Sequence, residues 1–489
     1  RIKFSLTGTG FGMDWQLCEF NFYRVVGVTL SGRYDGARRV SLAVDGQYRD
    51  SFTNFTTNVF TFAESVGAGS KILIYYDDDD IATNSGALVT KATGNDMAGL
   101  DLTEDTLIVR NDFGAELTSA DLVAARPSDG DVPYSHSGNA ITVADRIAVR
   151  IPPGAVWNIG TNTLTLNGNL VNDGGVTFIG GTVVFAGTTT VSGASTTALG
   201  RVTLTGALTA PSNLLRVAGN WVQTGSFDPN AGTVQFNGDT TISGTATAGF
   251  KHILISGSLT APTGILTVAG GITNNGVFNH NDGIVRFNGD TTIGGTAPMT
   301  FNHLAIDAAA RLTAPAGFLY VRGDWANAGV FSNSLGTVVF LSAAPATISG
   351  SNTFHHLACT VPGKQIFFAA GTQQTVLGTF TVTGNGGSLV QLRSAAGTNK
   401  WTIAFPNGPQ SITYADVRDS DALSNTVTVA GGLDSGNNNT NWIFASSRYW
   451  VGGNGNWSDT NRWSVASGGA PGASVPNAGN LVVFDVNSG

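Results

Sequence analysis

The sequence predicts an all-β protein: an N-terminal β-sandwich, then a right-handed parallel β-helix (solenoid) of double-rung repeats about 51 residues long, then a small C-terminal tail module. Three observations predict it. A pattern of about fifty residues recurs through the middle of the chain, short apolar/polar alternations fill each copy, and Asn-Gly, Gly-Asp and Ser-Gly pairs punctuate them.

The repeat is plainest where Asn230–Gly244, NAGTVQFNGDTTISG, returns as NDGIVRFNGDTTIGG over Asn281–Gly295. A Gly-x-Val-x-Phe pattern places Phe185, Phe236, Phe287 and Phe340 at spacings of 51, 51 and 53 residues. Leu-Thr-Ala-Pro recurs at Leu208, Leu259 and Leu312, and the units LRVAGNW, LTVAGGI and LYVRGDW begin at Leu215, Leu266 and Leu319. Alternations such as Val-Gln-Phe put every second side chain on one face, the period of a half-buried strand. Propeller blades have a similar period, but very short strands, polar turns and a drifting repeat length favour the open-ended solenoid. With rungs of roughly 20–25 residues, each repeat reads as two rungs. Phe185, Phe236, Phe287 and Phe340 are then expected to stack as one interior ladder, with Val183, Val234, Val285 and Val338 as a second ladder beside it.

Where the repeat starts and stops gives the domains: a sandwich over 1–127, the β-helix over 128–447 and the tail over 448–489. The first part carries all four glutamates and strand-like stretches such as Val40–Tyr48, Lys71–Asp77 and Asp105–Asp112. Arg126–Asn139, RPSDGDVPYSHSGN, reads as a linker or first cap.

A net charge of −8 without a Lys/Arg cluster argues against a nucleic-acid partner. No apolar run is long enough for a membrane span. The chain starts at Arg1 rather than Met, as expected of a processed form or a piece of a longer product. Cys18 and Cys359 are too few and too far apart for a disulfide framework and read as buried free thiols.

Candidate chemistry is sparse. Asp77, Asp78, Asp79 and Asp80 follow an apolar strand and could supply oxygen ligands to Ca²⁺, although they lack EF-hand spacing and also read as a solvated loop. Asp419, Asp421 and Asp434, near Asn437 and Asn438, form a second oxygen-rich group that would bind Ca²⁺ only if two loops stack; no cofactor is required otherwise. Adjacent His355 and His356 would point to opposite faces of a strand and could not share a metal. No Gly-x-Ser-x-Gly elbow with triad partners, His-Glu-x-x-His pair or phosphate loop occurs. Asp239 and Asp290 repeat in register, as structural turn residues do, so an enzyme is not expected; a polysaccharide lyase is the remaining catalytic alternative. Trp442, Tyr449, Trp450, Trp457 and Trp463 read as the core of a cap filling the open end of the solenoid, or as a sugar-stacking surface.

The tail from Tyr449, YWVGGNGNWSDTNRWSVASGGAPGASVPNAGNLVVFD, resembles a WVGGxGNWSD-type module of large, repetitive secreted bacterial surface proteins of the adhesin-like and passenger-like kind. The preceding ITYADVRDSDA and LDSGNNNTNW are similar to a junction in such proteins, so the resemblance covers about the last 80 residues, and the central repeats in style only. It implies an extracellular or cell-surface protein and carries over no catalytic residue. In that family more strands follow the tail motif, which makes Leu481–Phe484 an expected exposed edge. The expected function is a structural protein that assembles head to tail with itself, through Tyr449, Trp450, Trp457, Trp463, Leu481, Val482, Val483 and Phe484. A glycan-binding adhesin is the alternative.

Overall fold

The computed structural model describes residues 27–34, 38–53, 57–77, 85–114, 116–477 and 480–489. From Ala140 to Ala445 the chain winds as a β-solenoid of short strands, nearly every one hydrogen-bonded in parallel to the strand three further along. Three strands therefore complete one turn, and stacked turns build three faces. Val183 stacks on Val202 and Val202 on Trp221, 19 residues apart each time, while Trp221 to Ile242 takes 21.

Alternation fixes which side chains enter. In Thr182–Phe185, Val183 and Phe185 are buried while Thr182 and Val184 face outward, and Thr233–Phe236 and Thr337–Phe340 repeat the pattern. No rung could bury these residues alone; the next turn covers them, which is why the pattern must recur.

Two expectations need correction. The repeat is not two rungs: from Thr182–Phe185 to Thr233–Phe236 the chain passes through eight strands, which is two and two-thirds turns. Each copy is therefore rotated by one face relative to the last. The two ladders do not form, although all eight residues are buried. Phe185 and Val183 stack on Leu204 and Val202, Phe236 and Val234 on Ile255 and Ile253, Phe287 and Val285 on Ile306 and Leu304, and Phe340 and Val338 on Cys359 and Leu357. The columns are made of residues 19 apart, and the 51-residue period hides them.

The eight-strand unit carries one break in the hydrogen-bonded stack. Sheets end at Ser226–Asp228, Val277–Asn279 and Val330–Ser332, and the following strand in each case is Ala248–Phe250, Met299–Phe301 or Asn352–Phe354. Aromatic pairs bridge each gap: Phe227 to Phe250 at 5.4 Å, Phe278 to Phe301 at 5.9 Å and Phe331 to Phe354 at 5.7 Å between ring centroids. The loop entering each gap explains the repeated Ser-Gly and Gly-Gly. Gly244 has φ 119°, and a Cβ there would lie 1.9 Å from the Gln223 carbonyl oxygen; Gly295, at φ 108°, would meet that of Asn274 at 2.1 Å. The buried amides of Gln223 and Asn274 reach across to donate to Thr247 O and Pro298 O at 3.3 and 2.9 Å.

At the N-terminal end the described strands before residue 127 continue directly into a sheet of the solenoid. One sheet runs from the solenoid strand Ala148–Ile151 through Thr106–Val109, Gly86–Lys91, Lys71–Tyr76 and Arg39–Val44 to Gln47–Thr53. Through Arg39–Val44, Lys71–Tyr76 and Gly86–Lys91 both of its faces are buried, while Gln47–Thr53 at its edge is largely exposed. Leu73, Tyr75 and Val89 join the solenoid core, while Leu42, Ile74 and Leu88 pack with Phe60 and Phe62 of the antiparallel pair Val28–Arg33 and Val59–Glu64. The helix Ser119–Ala125 sends Leu122 and Ala125 into the same end of the core. Its N-terminus is fixed by a capping box between Thr118 and Asp121. The segment 126–139 is packed rather than loose: Arg126 donates to the carbonyls of Tyr134, Pro127 and Asp129, and Val132 and Tyr134 are buried. Cys359 is a buried free thiol whose pKa burial pushes up; Cys18 lies outside the described residues.

Candidate functional site

The C-terminal segment forms a three-stranded sheet of its own. Ser447–Trp450 is central, with Trp463–Ser464 antiparallel on one side and Leu481–Val483 parallel on the other. Leu481, Val482 and Val483 are therefore paired along one edge, and their strand ends the sheet. Trp463 is fully buried at the middle of an aromatic cluster, with Trp457 4.8 Å away, Trp450 5.0 Å away and Phe484 6.2 Å away. Each buried indole is satisfied locally, Trp450 Nε1 donating to Gly453 O and Trp463 Nε1 to Trp457 O, both at 2.7 Å. The cluster packs as a unit separate from the solenoid core, which ends at Trp442, so the tail tryptophans do not plug the solenoid. Tyr449 instead hydrogen-bonds Tyr414 of the last turns; burial first, and then Tyr449, push the Tyr414 phenol pKa up.

Four large apolar side chains of this module are exposed, Trp457 at 50%, Phe484 at 60%, Val465 at 69% and Val486 at 96%, and the rings of Trp457 and Phe484 lie 6.4 Å apart.

The candidate metal ligands are drawn into other bonds. Asp77 is buried, with its carboxylate on the Arg39 guanidinium and the Ser41 hydroxyl. Asp421 accepts from Lys400 Nζ at 2.7 Å, Asp419 from Asn437 Nδ2 at 2.7 Å, and Asp434 from Asn438 Nδ2 at 2.7 Å. Asp78, Asp79 and Asp80 lie outside the described residues. Among the described residues no three His, Cys, Asp or Glu side chains converge where a metal could be held.

Sequence reasoning passed over one recurring group. His252, His303 and His356 are spaced 51 and 53 residues apart, so they occupy the same place in the repeat, and Arg201 stands there in the copy before. Each imidazole reaches the following turn. His252 Nδ1 accepts from Gly271 N at 2.7 Å, His303 Nδ1 from Asp324 N at 2.9 Å, and His356 Nδ1 from Thr379 N at 2.8 Å. Glycine makes room for the ring: a Cβ on Gly270, Gly323 or Gly378 would lie 2.5, 2.7 or 2.6 Å from Cε1 of the corresponding histidine. The spacing was the available signal. His355 sits against His356 with ring centroids 4.4 Å apart.

Comparison with protein-family models, curated proteins and solved structures gives no match. The class of protein is thus defined by its own fold, a β-solenoid; among the described residues no helix is long and apolar enough to cross a membrane.

Proposed function

We propose that this is a non-catalytic structural protein of the cell exterior, a right-handed solenoid rod that joins head to tail with further copies through residues 448–489. The carrying observation is the exposed ring pair Trp457 and Phe484, together with the strand Leu481–Val483, which among the described residues is paired on one edge only. In this reading 1–127 is a sandwich-like head, and its edge strand Gln47–Thr53, which ends the ten-stranded sheet, is the acceptor for strand addition. A contact between two different surfaces repeats without closing, and so builds a fibre. Light scattering over a concentration series tests it: Trp457→Arg with Phe484→Arg, both at exposed positions, should abolish association while leaving the circular dichroism unchanged. Association that survives both changes removes the tail from the joint.

Half-exposed Trp457 also supports a second reading, a glycan-binding adhesin. A glycan array with the wild type and Trp457→Ala separates the two, since a joint predicts no sugar signal to lose.

A further inference from the structure

A backbone N–H can only donate, so each of His252, His303 and His356 must present an unprotonated Nδ1 and carry its proton on Nε2. The bonds are between turns: Gly271, Asp324 and Thr379 are also the residues whose carbonyls accept from Ile253, Leu304 and Leu357. Protonation would set an Nδ1–H against the backbone N–H and turn attraction into repulsion.

What surrounds each ring decides how it responds. Around His252, the adjoining strand brings Thr233 and Gln235, and the charged neighbour is Lys251, whose ammonium lies on Ala269 O at 3.3 Å. No carboxylate pairs with His252 among the described residues. Around His356, the adjoining strands bring Thr337, Val339 and Thr381, and the titratable neighbours are His355, against its ring, and Tyr320, which lines the same shallow cavity. Burial first, and then His355, lower the His356 pKa. His303 differs. Asp324 Oδ2 lies 3.2 Å from its Nδ1, so a protonated ring can exchange the Asp324 amide for the Asp324 carboxylate; Asp282, Arg286, Arg322 and His280 complete its charged surroundings.

We propose that His356 is an acid-released latch between successive turns of the solenoid. For His356 the folded-state value lies below the unfolded one. Its contribution is therefore full above the unfolded value of about 6.5 and declines as pH falls through the window below it. The chain supplies its own control in Asn220, the equivalent turn residue opposite Arg201, whose carbonyl accepts from Val202 without an imidazole beneath it.

Hydrogen exchange of the intact protein, read by mass spectrometry at about pH 7.5 and about pH 5 and corrected for intrinsic rates, tests the latch. Peptides covering Thr379 should lose at least about threefold in protection at the lower pH, while those covering Asn220 change less than about twofold. His356→Gln, whose amide oxygen accepts without titrating, should remove the pH effect at that turn. The comparison of the two turns in the unaltered protein needs no variant to fold. Equal changes at both turns, or none at either, would overturn the proposal.

Discussion

Phe185 and Phe236 hold the same place in the sequence repeat and lie on different faces of the solenoid. Phe185 stacks between Leu166 and Leu204, and Phe236 between Val217 and Ile255. Eight strands per repeat and three per turn leave a remainder, so each copy advances by one face. A feature repeated in sequence thus spirals around the rod, and the aromatic pairs that bridge the ladder breaks fall on a new face each time.

Double-mutant cycles read this register directly. Phe236 meets Phe250 edge-on, with centroids 5.6 Å apart at 83°, so Phe236→Leu and Phe250→Leu should couple by about 0.5–1.5 kcal/mol in unfolding free energy. Phe236→Leu and Phe287→Leu should add within about 0.5 kcal/mol. A single ladder of repeat-equivalent phenylalanines requires the second pair to couple.

Gly244→Ala or Gly295→Ala should each cost about 2–4 kcal/mol, because both a positive φ and a carbonyl within 2.1 Å stand against the new methyl. Gly264 meets nothing within 4 Å, and Gly264→Ala should stay within about 1 kcal/mol of neutral. Chemical denaturation of the three variants checks the contrast.

Acid should weaken the N-terminal helix cap. Burial alone would raise the Asp121 pKa, but the Lys91 ammonium at 2.7 Å and the Thr118 hydroxyl and amide reverse this and hold it below its usual value. The folded value being depressed, the contribution is present above the unfolded value of about 3.9 and is lost as pH falls through the folded one. Asp121→Asn should cost about 1 kcal/mol at neutral pH, and its deficit should shrink in denaturation series carried below about pH 4.

Lys364 is fully buried, with Nζ donating to the carbonyls of Ala344 at 2.7 Å, Ser342 at 2.8 Å and Arg322 at 3.2 Å. Lys364→Met keeps the packing and strands three acceptors, for a loss of about 2–3 kcal/mol. Burial pushes the ammonium pKa down, so the unfolded chain holds this proton to higher pH than the folded one. Wild-type stability should therefore gain on the variant as pH rises toward about 10.4.

The strands, their inward residues and the solenoid were legible in the period-two alternation around Val183–Phe185 and Val234–Phe236. The columns were not, because similarity between copies is strongest at 51 residues while contact occurs at 19, and Val183 resembles Val234 more than it resembles Trp221 two turns above. The N-terminal sheet was visible as strands, but its fusion to the solenoid depends on the parallel pairing of Thr106–Val109 with Ala148–Ile151, which no local pattern announces. In the tail, the aromatic residues stood out, yet their mutual packing around Trp463 rather than on the solenoid end required the fold of the 451–480 excursion. The histidines were legible in principle, since their spacing follows the repeat, but the hydrogen bonds they accept come from turns 19–23 residues away.

Electron microscopy of the purified protein, at high concentration and without added ligand, tests the structural-rod account most directly. Strands stacked at about 4.8 Å make the solenoid alone roughly 70 Å long, so the account predicts filaments with an axial repeat somewhat above that length. Single rods of that length at every concentration would contradict it.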